Sequence, residues 1–454
     1  MVQVIVAMTK NMGIGYMGRL PWHNPAELRL FKEKTMGKTL IMGRKTVETL
    51  PKLKGREVIC LTRGDKMVDT KKWKNQPPRF IRDLSQISSL PEWKTNVFVA
   101  GGAEVYKALF ESELKNKIST IHLSILNGEH ECDTFFDRNW LKGFVGVKMT
   151  DYCDFKHYVL KPTEHGEEQY LDILREVSTS GKPKVGRNGL TFSVFKRDMS
   201  FDLREGFPLL TTKKMFLRGV MEEFLFFMNG KTDTTELSDK KVRIWDANTT
   251  PEFIASRGLP YAQGVMGPMY GYQFRYFNAD YLLDDSGRPL PPSGGIDQLA
   301  NVIRLIKHDS NSRRILLTAY NPAQAEKGVL YPCHSLMLQF YVSDNYLDMF
   351  CFNRSQDLFL GTPFNIASSA LLLSVVAKLT AKVPRFLHMT MGDTHIYKDH
   401  LSAVFEQINR IPLKFPKLIV PEISELSDLA EITVSDFVLV DYIHHSAIKA
   451  PMVA

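Results

Sequence analysis

The sequence predicts an α/β fold for the N-terminal part of the chain and a separate domain after it. The chain has 454 residues, a length that suggests two or three domains. Strand-like runs alternate with helical patterns in the first part, which is typical of a sheet with helices on its faces. The composition changes after Leu160, where a polar stretch containing Pro and Gly indicates a boundary. We therefore predict domains at residues 1–161 and 168–454, joined by a short linker at 162–167.

The elements of the first domain follow from local patterns. β-Rich apolar runs predict strands at residues 2–8, 39–42, 58–61 and 97–99. Asn24 followed by Pro25 has the signature of a helix start, and the pattern predicts a helix at 26–34. Gly101-Gly102 lies between a strand and a helical run, where backbone N–H groups can face a phosphate. A Gly-Gly pair alone is equally typical of a simple turn.

Composition excludes some classes of protein. With 44% hydrophobic and 24% charged residues, the chain has the composition of a globular protein. Five cysteines without paired spacing argue against a disulfide framework and for a reducing compartment. The apolar stretch at 366–377 is interrupted by serines and is expected to be too short to cross a bilayer. The first residues lack a secretory signal pattern, so we expect a cytoplasmic protein without membrane contact.

The positive charge leaves two classes of ligand open. A net charge of +8 is compatible with anionic small molecules and equally with nucleic acid. The stretch at 71–79 is basic and contains Trp73, a combination found in RNA-binding segments. A solvated loop is the more frequent meaning of such a stretch. RNA binding is therefore left open and not predicted.

Cys333 lies in the most informative motif, Tyr331-Pro332-Cys333-His334. It occupies a predicted Pro-containing turn before one strand-like run, and a second such run leads to Arg354. A thiol is a weak nucleophile until its thiolate is stabilised, and a nearby guanidinium can do this. A lone cysteine is more often a buried structural residue, so the surrounding motifs must decide.

Motifs on both sides of Cys333 make this part of the chain resemble thymidylate synthase. Each motif is weak alone, but their common order along the chain is specific. The motifs are Phe207-Pro208-Leu209-Leu210-Thr211-Thr212-Lys213-Lys214, Ile244-Trp245-Asp246-Ala247-Asn248, Ser312-Arg313-Arg314-Ile315, Asn353-Arg354-Ser355-Gln356-Asp357, Pro363-Phe364-Asn365-Ile366-Ala367-Ser368, Gly392-Asp393-Thr394-His395-Ile396-Tyr397 and Ile448-Lys449-Ala450-Pro451.

The front of the chain resembles a different enzyme, dihydrofolate reductase. The matching pieces are Ile14-Gly15, Leu20-Pro21-Trp22, Pro25-Ala26-Glu27-Leu28, Phe31-Lys32, Ile41-Met42-Gly43-Arg44-Lys45-Thr46, Gly55-Arg56, Ala100-Gly101-Gly102-Ala103-Glu104-Val105-Tyr106 and Asp133-Thr134-Phe135-Phe136. Together the two resemblances cover nearly the whole chain. The chain is therefore similar to the bifunctional dihydrofolate reductase–thymidylate synthases.

This resemblance implies a reductase-like α/β domain followed by a synthase-like α+β domain. It implies NADPH-dependent reduction of 7,8-dihydrofolate, and reductive methylation of dUMP to dTMP with 5,10-methylenetetrahydrofolate as cosubstrate. It implies no metal, and it implies a homodimer formed through the synthase domain. Two rival interpretations are a nucleic-acid-binding regulator and an inactive scaffold of the same fold. The presence of every reacting residue argues against both.

Glu27 is the candidate acid of the reductase. It stands in the first turn of a predicted helix, where a capping-box carboxylate is the simpler interpretation. Phe31 follows one turn later on the same face, and burial against apolar side chains raises the pKa of an acid. The resemblance implies that Glu27 grips the pteridine and promotes protonation at N5, braced by the Ser124 hydroxyl. It also implies a Trp22-bound water, a contact from Arg56 to the glutamate tail, and further folate contacts from Ile5, Ala7, Leu28, Phe31, Leu50, Ala100 and Tyr106.

The resemblance further implies a cofactor site in the first domain. A 2′-phosphate requires cations, which favours NADPH over NADH. Charge and hydroxyl groups for the cofactor would come from Arg44, Lys45, Thr46, Thr62 and Arg63. The other implied cofactor-binding residues are Ala7, Ile14, Gly15, Gly43, Gly101, Gly102, Ala103, Glu104 and Val105.

For the synthase, the resemblance implies that Cys333 adds to C6 of the uracil ring. Arg354 would stabilise the thiolate and contact the nucleotide phosphate, and Glu223 would relay protons to the uracil O4. Asn365 would bind the uracil edge, because an amide both donates and accepts hydrogen bonds. His334, next to the nucleophile, would line the pocket.

Further contacts with dUMP and folate are implied. Arg313 and Arg314 would point to opposite sides of a strand and reach the phosphate bound by the partner subunit. The remaining implied dUMP-binding residues are Ser355, Asp357, His395 and Tyr397. The implied folate-binding residues of the synthase are Trp245, Asp357, Leu360, Gly361, Phe364 and Ala454.

In relatives, an arginine binds the dUMP phosphate. If this sequence is matched to theirs without a gap, no arginine stands at that position. A loop shortened by one residue places Arg187 there. We prefer this interpretation, because Asn188-Gly189 can adopt positive φ and tighten the turn. The alternative is that Lys182 or Lys184 provides the charge.

Overall fold

The computed structural model describes residues 2–64, 73, 77–89, 97–164, 166–186 and 188–453. The chain divides into two compact units, one ending at Glu164 and the other beginning at the next residue. Each unit has its own hydrophobic core. Glu167, which falls in the predicted linker, is fully buried in the second unit, where its carboxylate accepts hydrogen bonds from the backbone and hydroxyl groups of Thr211 and Thr212.

Among the described residues, the first unit contains an eight-stranded sheet in the order β5-β4-β3-β6-β1-β7-β10-β9. Its strands are β1 (Val2–Thr9), β3 (Thr39–Gly43), β4 (Glu57–Leu61), β5 (Arg79–Ile81), β6 (Val97–Val99), β7 (Ile118–Leu126), β9 (Phe144–Asp151) and β10 (Phe155–Pro162). A separate short ladder joins β2 (Gly13–Gly15) to β8 (Thr134–Phe135). Most of the sheet is parallel, but β10 runs antiparallel to both neighbours.

The helices of the first unit are α1 (Pro25–Thr35), α2 (Arg44–Thr49) and α3 (Ala103–Phe110). Asn24 caps α1 by accepting hydrogen bonds from the backbone of Ala26 and Glu27. These elements confirm the predicted α/β fold, and the predicted strands and helix end within two residues of the observed ones. Trp73 is buried in the core with Leu40 and Phe98, so its ring is not available to stack on a nucleic acid base.

The second unit contains a six-stranded sheet in the order β11-β12-β16-β15-β14-β13 among its described residues. The strands are β11 (Lys182–Gly186), β12 (Gly189–Asp202), β13 (Leu316–Thr318), β14 (Met337–Ser343), β15 (Tyr346–Asp357) and β16 (Val383–Tyr397). A two-stranded ladder pairs β17 (Lys417–Ile419) with β18 (Val438–Val440). Only β15 and β16 pair in parallel, and the other pairs are antiparallel. The sheet therefore belongs to the expected α+β class.

The helices of the second unit are α4 (Glu168–Ser180), α5 (Leu217–Met228), α6 (Thr235–Asp239), α7 (Pro251–Ser256), α8 (Gly271–Tyr276), α9 (Gln298–His308), α10 (Gly361–Leu379) and α11 (Leu401–Ile408). In length and composition α10 could cross a membrane, so the expectation that its apolar stretch is too short was wrong. However, 72% of its apolar window is buried inside the protein, as in the core helix of a globular unit. It is the one such helix among the described residues.

Candidate active sites

Glu27 is a buried carboxyl in the first turn of α1. Glu27 is 6% exposed, and its carboxyl is hydrogen-bonded to the Ser124 hydroxyl on β7. Burial raises the pKa of Glu27, and the hydrogen bond from Ser124 opposes that effect. The carboxyl is thus held in an apolar setting beside one hydroxyl group, which is the arrangement expected from the sequence.

The other predicted folate-binding residues lie around the start of α1 and β1. Trp22 contributes a buried Nε1 that has no hydrogen-bond partner among the described residues, as expected for a group that binds water or ligand. Leu28 is 42% exposed, whereas Phe31 and Leu50 are half-buried against the core. The predicted residues Ile5 and Ala7 belong to β1, Ala100 follows β6, and the Tyr106 hydroxyl donates to the carbonyl of Ile5 at 2.7 Å.

Arg56 is more enclosed than a group expected to meet a solvent-facing glutamate tail. It is 7% exposed, its Nη1 donates to the Thr35 hydroxyl at 3.3 Å, and its guanidinium lies 5.8 Å from the centroid of the Phe31 ring. Burial lowers the pKa of Arg56 from its usual high value. The cation is therefore held in place beside Phe31.

Three glycines converge where the sequence predicts the cofactor. The Gly43 N–H, at the end of β3, donates to the Gly101 carbonyl at 2.8 Å. A Cβ atom on Gly43 would lie 3.1 Å from Val105, and one on Gly102 would lie 3.1 Å from the Thr46 hydroxyl. Gly101 has φ of +103°, a conformation that favours glycine. The chain thus forms a close-packed backbone surface at the starts of α2 and α3, which suits a phosphate-bearing ligand.

The predicted cationic groups of the cofactor site are mostly at the surface. Arg44 pairs with Glu48 one turn later at 2.7 Å, and Lys45 and Arg63 are exposed. The Thr62 hydroxyl donates to the Gly64 carbonyl at 3.3 Å. The other predicted residues divide between the ladder of β2, with Ile14 and Gly15, and the first turn of α3, with Ala103 and Glu104.

Cys333 lies in a loop before β14 and is held by β15 and α8. The Ser355 N–H donates to the Cys333 carbonyl at 3.2 Å, and the Cys333 N–H donates to the Tyr270 hydroxyl at 3.2 Å. The thiol Sγ lies 3.7 Å from the same hydroxyl. Arg354 donates from Nε to the Pro332 carbonyl at 3.3 Å, which brings its charge beside the thiol as predicted.

Arg354 does not make Cys333 a ready thiolate. Burial raises the pKa of the Cys333 thiol, and the Tyr270 hydrogen bond and the Arg354 charge only partly oppose this. Arg354 lowers the pKa of Cys333, which is the direction expected from the sequence, but burial has the larger effect. Desolvation of a buried sulfur outweighs one neighbouring cation.

Glu223 and His334 lie around the same cavity as Tyr270. Burial raises the pKa of Glu223 to about 7, although the Trp245 indole donates to its carboxylate at 2.8 Å. Burial lowers the pKa of His334 to about 4, so this imidazole is neutral at neutral pH. Its ring stacks on Tyr270 with centroids 4.5 Å apart. The cavity therefore pairs an acid that titrates near neutrality with a neutral imidazole.

Asn365 is oriented by a residue that the sequence analysis did not single out. The Gln356 carbonyl oxygen accepts hydrogen bonds from the Asn365 amide and the Thr362 hydroxyl, both at 3.0 Å. Gln356 is almost fully buried. The sequence feature that could have identified Gln356 was its position next to Asp357, in the motif that contains Arg354.

The remaining predicted dUMP residues lie on the paired strands β15 and β16. In the register of these strands Ser355 faces Asp393 and Asp357 faces His395. The His395 Nδ1 lies 3.2 Å from an Asp393 carboxylate oxygen, and its ring meets that of Tyr397 edge to face. Parallel pairing thus brings together residues that are far apart in the sequence.

Several of the residues predicted to bind folate in the synthase lie at or near the start of α10. The Asp357 carboxylate accepts from the backbone of Phe359 and Leu360, at 2.9 and 3.3 Å. The other predicted residues are Gly361 and Phe364 on α10, and Trp245 beside Glu223, whereas Ala454 lies outside the described residues.

Lys213 and His400 also lie in this region and were not predicted. The buried Lys213 ammonium donates to the Phe359 carbonyl, and burial lowers the pKa of Lys213 to about 7. His400 Nε2 lies 2.9 Å from the Pro451 carbonyl. The first contact holds a buried ammonium just before α10, and the second attaches the C-terminal segment to the turn before α11.

Arg313 and Arg314, the arginines predicted to reach the phosphate of the partner subunit, lie outside these contacts. Arg313 and Arg314 are exposed in a turn before β13, so the expectation that they occupy a strand was wrong. Arg187 lies outside the described residues. The alternative residue Lys184 pairs with Asp393 at 3.0 Å, and therefore lies next to the carboxylate that contacts His395.

The described residues contain no group of three or more His, Cys, Asp or Glu side chains that could hold a metal ion.

Comparison with known proteins assigns a family to each unit. Residues 1–156 match the dihydrofolate reductase family, and residues 168–454 match the thymidylate synthase family. The bifunctional dihydrofolate reductase-thymidylate synthase of Paramecium tetraurelia is 37% identical, over 99% of this chain and 98% of that protein. The enzyme of the same name from Zea mays is 35% identical over 99% of this chain and 96% of its own length, and that from Leishmania major is 34% identical over 99% and 94%. The chain belongs to the bifunctional dihydrofolate reductase–thymidylate synthase family.

Proposed function

We propose specific roles for the residues of both sites in the two reactions of this family. The chain is an enzyme with a reductase activity, which converts dihydrofolate to tetrahydrofolate, and a synthase activity, which converts dUMP to dTMP. The synthase oxidises the folate that it uses, and the reductase restores it. The observation that carries the assignment of roles is the pair of carboxyls, Glu27, which is buried, and Glu223, which is partly buried, each with a raised pKa beside the residues expected to bind substrate.

In the reductase, Glu27 holds the pteridine ring and promotes protonation at N5. A carboxyl with a raised pKa carries a proton at a higher pH than an exposed acid does, which suits a weakly basic acceptor. The Trp22 Nε1 has no protein partner among the described residues and would bind the water that links the acid to the ring. Arg56 would pair with a folate carboxylate from its position beside Phe31.

The surface formed by Gly43, Gly101 and Gly102 would hold NADPH. A Cβ atom at any of these positions would approach a neighbouring side chain within 3.2 Å, so the close packing of this surface requires glycine. Thr46 and the exposed cations Lys45 and Arg63 would face the phosphates. The nicotinamide supplies a hydride to C6 of the pteridine when the cofactor is bound.

In the synthase, Cys333 forms the bond between its sulfur and C6 of the uracil ring. The thiol must lose its proton first, because burial keeps the pKa of Cys333 high. The electron pair displaced from the C5–C6 double bond makes C5 nucleophilic, and C5 then bonds to the methylene carbon of the folate. The bond from that carbon to the folate N10 breaks as C5 attacks, the C5 proton then leaves, and the bond from the carbon to N5 breaks. The folate finally donates the hydride from its C6 to the same carbon, and the sulfur departs as thiolate to give dTMP and dihydrofolate. Covalent catalysis divides one hard substitution into easier steps.

Glu223 and Asn365 act on the uracil ring during these steps. A carboxyl with a pKa of about 7 can both give and take a proton at neutral pH, so Glu223 relays protons to the uracil O4. Asn365 binds the uracil edge, with its amide direction set by Gln356. The dUMP phosphate is bound by Arg354 and by a clamp at Arg187, and the ribose by His395 and Tyr397.

The synthase unit would act as a homodimer. The six-stranded sheet leaves Phe195 at 77% and Tyr341 at 65% exposure, and Phe350 and Phe352 half-buried. Exposed aromatic surface of this kind marks a protein interface. In such a dimer Arg313 and Arg314 would extend to the phosphate bound by the partner subunit. We also propose that the enzyme works in the cytoplasm, where its cysteines stay reduced.

A coupled assay tests both activities. Purified chain receives dUMP, 5,10-methylenetetrahydrofolate and NADPH, and dTMP and NADPH are followed together. We expect one NADPH to be oxidised for each dTMP formed. Formation of dTMP without NADPH oxidation, in a preparation that also fails to reduce added dihydrofolate, would contradict the assignment of the reductase site.

A further inference from the structure

A row of hydrogen-bonding side chains leads away from Glu27 across the reductase sheet. Ser124 on β7 lies directly opposite His157 on β10, and the Ser124 hydroxyl oxygen lies 3.3 Å from the His157 Nδ1. The His157 Nε2 lies 3.4 Å from the Nδ1 of His122, and the two rings stack with centroids 5.6 Å apart. The row therefore runs from Glu27 through Ser124 and His157 to His122.

Both histidines are neutral at neutral pH. Burial lowers the pKa of His122 and that of His157 to about 4. The positive charges of Lys34 on α1, Lys148 on β9 and Lys161 on β10 act in the same direction. Tyr106 of α3 is a further titratable group that interacts electrostatically with Glu27, and its hydroxyl donates to the Ile5 carbonyl.

Neutrality gives the row a direction. A neutral imidazole has one donor and one acceptor nitrogen, a hydroxyl donates one proton, and an ionised carboxylate only accepts. When Glu27 is ionised, the Ser124 hydroxyl donates to it, and the Ser124 oxygen then accepts from His157 Nδ1–H. The His157 Nε2 must accept in turn, so His122 donates from Nδ1–H. Every group in the row then donates once towards Glu27.

We propose that His157 and His122 are positioning residues for Glu27, because their tautomers direct the Ser124 hydroxyl towards the carboxylate. The inference rests on the proposed function, in which Glu27 is the acid of the reductase. If His157 adopted the other tautomer, its Nδ1 would be an acceptor and would compete with Glu27 for the Ser124 proton. The donor from His122 prevents this. Neither histidine touches Glu27, and both act through Ser124.

The test is the pH dependence of hydride transfer in the full chain, measured in single turnovers with dihydrofolate and NADPH. Replacing His157→Leu should shift the titration of the acidic group to higher pH, because the carboxylate loses a polarised donor. The expected shift is about 0.2–0.6 pH units. It corresponds to the part of a charge-assisted hydrogen bond's free energy that comes from polarisation by the next hydrogen bond in the row. His157→Gln, which keeps volume but places no N–H at the Nδ1 position, should give the same shift. His157→Asn, whose amide N–H replaces Nδ1–H, should restore the parent value.

A double-mutant cycle separates tautomer control from general loosening of the sheet. His122→Leu should raise the titration pH in the parent, where His157 is released to the competing tautomer. His122→Leu should cause no further shift in the His157→Leu background, because no imidazole remains there to compete with Glu27 for the Ser124 proton. Equal shifts in both backgrounds, or unchanged titration in both His157→Leu and His157→Gln, would overturn the inference. Saturable binding of NADPH and an unchanged far-UV circular dichroism spectrum of the same preparations show that the reductase unit of each variant is folded.

The variant Glu27→Gln distinguishes this inference from the proposed function. Loss of the acidic group from its pH profile, with no shift in the histidine variants, would reject the positioning role and keep Glu27 as the acid. Retention of the acidic group in Glu27→Gln would instead reject Glu27 itself.

Discussion

The Trp245 indole N–H donates to the carboxylate of Glu223 over 2.8 Å, and Glu223 itself lines the synthase cavity. The hydrogen bond favours the ionised acid, whereas burial favours the neutral one, and burial prevails because the pKa of Glu223 is raised to about 7. At a pH of about 7, a carboxyl that would be ionised in water is therefore about half protonated in the enzyme. This balance connects the catalytic role proposed for Glu223 to the stability of the unit.

Replacing Glu223→Gln should abolish most synthase activity and stabilise the synthase unit at alkaline pH. The parent pKa is about 7 when folded and 4.5 as a free side chain, so the stability associated with this group is full below pH 4.5 and is lost as the pH rises through 7. At pH 8 the variant should be more stable by about 1–3 kcal/mol, a range reduced from the full shift for partial exposure. Urea unfolding at pH 4.5 and pH 8 measures this difference. An equal advantage at both pH values would show that Glu223 does not titrate in this range.

Replacing Cys333→Ser should abolish dTMP formation and leave dihydrofolate reduction unchanged. The nucleophile belongs to the synthase unit alone, and a serine hydroxyl is a far poorer nucleophile than a thiolate at neutral pH. Cys153, which is exposed in the reductase unit, provides the matched control, and Cys153→Ser should retain both activities. Both rates are measured on each preparation. Synthase activity near the parent level in Cys333→Ser would remove the cysteine from the mechanism.

Replacing Glu27→Gln should slow the reductase by at least about tenfold and spare the synthase. Glu27 is the buried acid beside Ser124, and general acid catalysis typically contributes factors of about 10²–10⁴. The loss should be greatest at high pH, where protonation of N5 limits the rate. Glu33, a highly exposed residue on the same helix, is the control position, and Glu33→Gln should have no effect. A Glu27→Gln enzyme with the parent rate at all pH values would leave this position a purely structural role.

The synthase should recover activity when two defective chains are mixed. A Cys333→Ser chain and an Arg313→Ala/Arg314→Ala chain should each be poor alone, because each homodimer has two damaged sites. If the arginines serve the partner subunit, re-equilibrated heterodimers contain one site with neither defect and should regain up to about half of the parent activity per site. Mass measurement confirms that heterodimers form. Heterodimers without activity would mean that the arginines act within their own chain.

Replacing Arg187→Ala should weaken dUMP binding by about 1.5–3 kcal/mol, the range for a hydrogen bond to a charged group. A bidentate guanidinium binds phosphate better than a point charge, and Lys184 is already paired with Asp393. Lys184→Ala is therefore the comparison, and it should weaken binding less. Titration calorimetry with dUMP measures both variants. Unchanged affinity in Arg187→Ala, with a loss in Lys184→Ala, would assign the phosphate to the lysine.

The sequence by itself determined the architecture and most of the candidate residues of both sites. Apolar runs rich in β-forming residues predicted the strands of the first unit, because strands buried on both faces have this composition. The Asn24-Pro25 signature predicted the start of α1, and motif order indicated Cys333 and Glu27 as candidate reacting residues. These features are local, so they can be recognised without knowing which distant residues are neighbours.

Only the tertiary structure decided how the candidate groups are tuned. The raised pKa of Cys333 depends on how completely the sulfur is desolvated, and no motif records that quantity. Arg313 stands in an exposed turn and not in the strand expected from the sequence. The row from Ser124 to His157 depends on strand register, which places residues 33 positions apart in direct contact. Burial and register arise from long-range packing, and this is why the chemistry of a site is set after its residues are known.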